Sequence, residues 1–100
     1  MRVAVVDMGS NTFRLLVTEA RPDGALSTRH IERFMLHLGG VVGEHGEVTP
    51  PALQAAIDAT RSMAGFIERF GVDRIFAVAT AALREASNGP EVADHLGAIL

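Results

Sequence analysis

The sequence predicts a mixed α/β domain with its elements in the order β-β-β-α-β-α. Three observations carry that reading. Val3-Ala4-Val5-Val6 is an apolar run of strand length, closed by Asp7-Met8-Gly9. Pro22-Asp23-Gly24 is a hairpin signal between two stretches of strand character. Leu53, Ala56, Ile57, Met63, Ala64, Ile67 and Phe70 keep a helical period between Thr49-Pro50 and Gly71.

The first strand is apolar at every position from Val3 to Val6, which predicts a place at the sheet centre with both faces covered. Ser10-Asn11-Thr12 follows as turn chemistry, and Phe13 to Ala20 is apolar and β-branched enough for a second strand. Ala25 to about Leu36 returns as a third strand, partly exposed, because Arg29, His30, Glu32 and Arg33 interrupt its apolar positions. Leu38 to Val48 holds Gly39, Gly40, Gly43 and Gly46 and reads as a mobile loop, the one candidate hinge of the chain. Thr49 is an N-cap with Pro50 at the first helical position, and Gly71 is the left-handed residue that ends this helix. Arg74 to Ala79 is a fourth strand, followed by a helical turn or two over Ala81 to Ala86. Asn88-Gly89-Pro90 interrupts, and Glu91 to Leu100 restarts with Val92, Leu96 and Ile99 on one face.

Composition narrows the function. The 100 residues contain no Cys, which excludes a disulfide framework, a thiolate zinc site and a cysteine nucleophile. All nine basic residues are Arg, so there is no phosphate-loop lysine of the Walker type and no Schiff base. A net charge of -3 and five aromatic residues, all Phe, argue against a nucleic-acid surface. No apolar run has the length of a membrane helix, and four apolar residues after Met1-Arg2 are too few for a signal peptide. A cytoplasmic protein with no membrane partner is expected.

Two segments hold the residue types that chemistry needs. In Asp7-Met8-Gly9-Ser10-Asn11-Thr12 a carboxylate ends a buried strand, a glycine permits a tight turn, and hydroxyl, amide and backbone N–H donors follow. Successive N–H groups of a turn cradle phosphate oxygens without a helix or a lysine. Asp7 suits Mg²⁺ held through water, and Arg14 suits a phosphate clamp. A plain polar turn has the same composition, and on the residues alone both readings stand. In the second segment, Ala79 to Gly89, Thr80 sits where a strand becomes a helix and Arg84 lies one turn in, an ordinary place for a solvated side chain. His30, His37, His45 and His95 lack metal-ligand spacing, and Glu44 and Glu47 flank the glycine-rich stretch, where they suit acid/base groups but fit a solvated loop better.

Together the two segments resemble the exopolyphosphatase/guanosine pentaphosphate phosphohydrolase (Ppx/GppA phosphatase) family. Ala4 to Leu15 is similar to that family's first phosphate loop, and Ala77 to Gly89 to its second recognisable stretch, in the same order and at matching spacing. The resemblance runs nearly the whole chain and implies a ribonuclease H-like domain of the actin, sugar kinase and heat-shock ATPase superfamily. It implies that Asp7 sits at a Mg²⁺ site, that Gly9, Ser10, Asn11, Thr12 and Arg14 grip substrate phosphate, and that Arg84 lies at the catalytic cleft.

The implied reaction is hydrolysis of the terminal phosphoanhydride of inorganic polyphosphate or of guanosine pentaphosphate, in a protein that forms a homodimer. Residues 1–100 then correspond to the N-terminal part of the first domain. The family's catalytic Glu and its second phosphate loop have no match among them, so the 100 residues alone are expected to be inactive. Leu38 to Gly46 is looser than the family's Leu-Gly-x-Gly pattern. Two alternatives share the first loop: an ATP-dependent sugar or carboxylate kinase of the same superfamily, and a domain that binds polyphosphate or guanosine alarmones without turnover.

Overall fold

The computed structural model describes residues 1–79 and 81–100. The first three strands are β1 (Arg2–Met8), β2 (Thr12–Ala20) and β3 (Leu26–Met35). Two helices follow, α1 (Leu38–His45) and α2 (Pro50–Phe70), then β4 (Arg74–Ala79), α3 (Ala81–Glu85) and α4 (Gly89–Ile99). The class is the expected mixed α/β. The helices, however, number four among the described residues, giving the order β-β-β-α-α-β-α-α.

The strands form one sheet in the order β3-β2-β1-β4. β1 pairs antiparallel with β2 and parallel with β4, so it is central, as its apolar run predicts. Only one of its faces is closed. Ala4, Val6 and Met8 are buried, whereas Val3, Val5 and Asp7 are half-buried on the opposite face. The closed face continues through Phe13, Leu15 and Val17 of β2 and meets Ala56, Ile57, Ala59, Met63 and Ile67 of α2 in one apolar cluster. Thr60, the one buried polar side chain given for the described core, donates from Oγ1 to the Ala56 carbonyl at 2.7 Å and so needs no other partner. On the open face Phe76 and Val78 are 54% and 53% exposed.

The hairpin between β2 and β3 turns where Pro22-Asp23-Gly24 predicts. Gly24 takes a left-handed φ of 86°, and the Asp23 carboxylate accepts the Ala25 N–H at 2.9 Å. Gly71 ends α2 at φ 61°, also as expected. Thr49 precedes α2 in extended conformation, but its side chain makes no cap hydrogen bond.

The expected loop over Leu38 to Val48 is instead largely helix. Three glycines lower helix propensity, but tertiary burial overrides them here. Leu38 and Val42, four residues apart and therefore on one face, are buried in the core. His37 enters the helix at φ 54° and Gly46 leaves it at φ 75°, so left-handed residues bound it at both ends. The proposed hinge is thus a capped helix.

The break between α3 and α4 is built on two residues. The Asn88 side chain accepts the Val48 N–H at 2.9 Å and donates to the Val48 carbonyl at 2.9 Å, acting as a strand partner for the residue before the Thr49 N-cap of α2. Gly89 is buried, and a Cβ there would collide with the Leu83 carbonyl. Removing the Asn88 amide leaves both Val48 backbone groups unpaired at a buried position. Asn88→Ala is therefore expected to lower stability by about 2 kcal/mol, read as a lower urea midpoint at unchanged slope.

Candidate functional site

The turn between β1 and β2 is tight because Gly9 donates its N–H to the Thr12 carbonyl at 3.1 Å, leaving Ser10 and Asn11 as its two-residue tip. A Cβ at Gly9 would stand 2.9 Å from that same carbonyl oxygen, which explains the glycine. No residue from 9 to 12 has positive φ, so the donors are arranged as in a plain turn.

The turn is held from outside through its own carbonyls. Ser10 accepts the Gly39 N–H at 2.8 Å, and Asn11 accepts the N–H groups of Leu36 and His37, both at 2.9 Å. Gly39 also lies against Ser10, whose Cβ would be 3.1 Å from a Cβ at position 39. The chain entering α1 is thus a brace for the turn. Gly39 was missed as a site residue because its glycine-rich surroundings read as a loop. The signal available was the Gly39-Gly40 pair, where one glycine marks close backbone approach.

The side chains around the turn are uncommitted. Among the described residues, those of Asp7, Ser10, Asn11, Thr12 and Arg14 make no hydrogen bond or ion pair with the protein. Asp7 is half-buried on the open face and stands directly opposite Arg14 across the β1–β2 ladder, though not within ion-pair distance of it. Arg14 is exposed.

The parallel pairing of β1 with β4 matches Met8 to Ala79. Parallel strands end at the same edge of a sheet, so the turn after β1 and the helix α3 after β4 emerge together. Arg84 lies on α3 at that end, exposed and without a protein partner among the described residues. The expected N-cap at Thr80 lies outside the described residues. The two segments that stood out in the sequence, more than sixty residues apart, are therefore neighbours in space.

Apart from His37, whose main-chain N–H braces the turn, the histidines lie elsewhere. His30 packs against Phe66 and Phe70 in tilted ring contacts, with centroids at 4.6 and 5.1 Å, and its Nε2 is 3.1 Å from Glu32 Oε1. Glu44 and Glu47 are exposed, with Glu44 3.8 Å from His45. No group of three or more His, Cys, Asp or Glu is placed to hold a metal among the described residues. A single carboxylate with free lone pairs does fit Mg²⁺, which keeps several waters and takes one or two carboxylates together with substrate phosphates. No helix among the described residues is long and apolar enough to cross a membrane.

Comparison with known proteins gives a consistent result. The chain is 30% identical over 92 residues to exopolyphosphatase 1 of Mycobacterium leprae, covering 92% of this chain and 27% of that protein. It is 31% identical over 88 residues to the guanosine-5'-triphosphate,3'-diphosphate pyrophosphatase of Vibrio cholerae, covering 88% of this chain and 18% of that protein. A solved Ppx/GppA family member from Aquifex aeolicus superposes with a TM-score of 0.91 at 33% identity, over 98% of this chain and 32% of that one. An exopolyphosphatase structure from Cytophaga hutchinsonii gives 0.89 at 30% identity, over 98% and 31%. The chain therefore spans a third or less of the length of these relatives. Its sheet and helices are part of the ribonuclease H-like fold of the actin-like ATPase superfamily, to which these structures belong. The sequence profile of the Ppx/GppA phosphatase family matches residues 16–97, and with a fold shared over nearly its whole length the chain belongs to that family.

Proposed function

We propose that the whole protein hydrolyses terminal phosphoanhydrides, of inorganic polyphosphate or of guanosine pentaphosphate, and that the β1–β2 turn holds the phosphate under attack. One observation carries this reading. A braced turn with uncommitted polar side chains lies at the same sheet end as Arg84, through the Met8–Ala79 register. Uncommitted donors held by the backbone alone are the preorganised arrangement that charge stabilisation requires, since they need no rearrangement when the anion arrives.

Within that reading the residues divide the work. The N–H groups at the turn tip and the hydroxyls of Ser10 and Thr12 donate to phosphate oxygens. Gly9 contributes the shape of the turn, because its own N–H is taken by Thr12. Arg14 and Arg84 supply guanidinium forks, whose planar donors match phosphate geometry. Asp7 would hold Mg²⁺ through its waters, and the bound ion would neutralise charge building on the transferred phosphoryl oxygens. Water attacks the terminal phosphorus in line with the departing phosphate chain, and a carboxylate elsewhere in the whole protein takes its proton.

The test is phosphate release by the whole protein from polyphosphate and from guanosine pentaphosphate, with ATP plus a sugar or acetate as the competing assay. Release into water supports the hydrolase. Phosphoryl transfer to an acceptor would make it a kinase, and tight binding without turnover would make it a sensor. Arg84→Ala is expected to lower turnover by about a hundredfold with unchanged thermal stability, since its side chain is exposed and has no partner among the described residues.

A further inference from the structure

The register of the sheet sets three charged residues in one row across three strands. Asp7 of β1 stands opposite Arg14 of β2, and Arg14 stands opposite Arg33 of β3. Residues directly opposite share a face, with Cβ atoms about 5 Å apart. The row lies on the open face, because the neighbouring positions Phe13 and Phe34 turn toward the core. Thr12, which ends the turn, pairs with Met35, so Arg33 is only two residues from the level of the turn.

This row is electrostatically unbalanced. Like charges directly opposite each other in a sheet are destabilising. Neither Arg14 nor Arg33 has an ion pair or hydrogen-bond partner among the described residues. Among the described residues Asp7 is the only strand carboxylate on this face, since Glu19 and Glu32 stand opposite Arg2 and Leu15 on the α2 side. It is not within ion-pair distance of either guanidinium. Yet the chain has twelve acidic residues against nine basic ones, so carboxylates are not scarce. Two adjacent, exposed, unneutralised guanidinium groups beside an anion-binding turn suit an anion supplied from outside.

We propose that Arg33 is a substrate-binding residue, which together with Arg14 holds the phosphates behind the terminal one. The inference rests on the phosphohydrolase reading for its substrate, but the row itself requires only an oligophosphate. Paired forks spaced by one strand favour a chain of linked phosphates over a single phosphate ion, because only a chain engages both at once.

The experiment compares the wild-type whole protein with Arg33→Gln and Arg33→Lys. Titration with tripolyphosphate and with orthophosphate, at fixed Mg²⁺, reads binding. Steady-state hydrolysis reads KM and kcat, and thermal midpoints with and without tripolyphosphate read stability. Arg33→Gln is expected to weaken tripolyphosphate binding about tenfold, with kcat nearly unchanged, while orthophosphate binding barely moves. Its ligand-free midpoint should hold or rise, because a repulsive pair is gone, while the shift produced by tripolyphosphate shrinks. Arg33→Lys should recover most of the binding. Unchanged tripolyphosphate affinity in Arg33→Gln overturns the proposal, as does a fall in the ligand-free midpoint large enough to account for any weaker binding. Wild-type protein that binds tripolyphosphate without hydrolysing it refutes the hydrolase reading alone, and the titrations still decide the role of Arg33.

Discussion

On the proposed phosphohydrolase reading, Asp7→Ala is expected to lower Mg²⁺-dependent phosphate release by the whole protein by about 10²–10³-fold while leaving it folded. The size follows from what the carboxylate is positioned to do. It is a half-buried carboxylate near the end of the central strand, two residues before the glycine that opens the turn, and no protein group among the described residues satisfies its oxygens. The absence of a partner also makes the variant clean. Removing the carboxylate strands no donor, so the ligand-free thermal midpoint should hold or rise slightly. Phosphate release across a Mg²⁺ titration, with circular dichroism on the same samples, checks both halves. Asp7→Asn keeps the shape and removes the charge, and should lose nearly as much activity. Turnover within a few-fold of wild type in both variants would remove Asp7 from the metal and phosphate chemistry.

Gly89→Ala is expected to be the most damaging single methyl in the chain, costing about 3 kcal/mol or more. The added Cβ meets main chain rather than a movable side chain. It collides with the Leu83 carbonyl, and the carbonyl carbon lies 2.8 Å away. Relief requires α3 and α4 to separate, which pulls Leu83 and Ala86 from the core and strains the Asn88 bonds to Val48. Gly97→Ala is the control. Nothing lies within 4 Å of a Cβ there, and it sits inside α4, so helix propensity alone predicts an unchanged or slightly higher stability. Urea midpoints of the two variants decide the matter. Equal midpoints would show that the junction yields without cost.

What the sequence revealed and what it concealed have physical causes. β1, the hairpin at Pro22-Asp23-Gly24, and α2 between Pro50 and Gly71 were readable because local chemistry and tertiary packing agree there. The site turn was readable because Asp7, Gly9 and Ser10-Asn11-Thr12 are consecutive, so their chemistry is local. α1 was not, because Gly39, Gly40 and Gly43 oppose helix formation and burial of Leu38 and Val42 overrides them. The brace from Gly39 to Ser10 is a contact between segments, and no pattern within either one announces it. The row of Asp7, Arg14 and Arg33 is likewise invisible until register is known, since Arg33 reads as an ordinary charge on a half-exposed strand. The open face of β1 escaped notice because a run apolar at every position looks covered on both sides, whatever covers it.

The brace between the turn and α1 separates two things that proteins often fuse. The path of residues 9 to 12 is fixed by main-chain carbonyls and one glycine N–H, and no side chain at 10, 11 or 12 takes part. The fold therefore does not dictate which side chains stand at those three positions. A descendant that exchanged Asn11 for a larger or a charged residue would keep the same turn and present a different surface at this end of the sheet. If the turn binds substrate as proposed, substrate preference would in this sense be a replaceable fitting on a fixed mount. The freedom ends at position 39, where any side chain at all would press on Ser10 and move the mount itself.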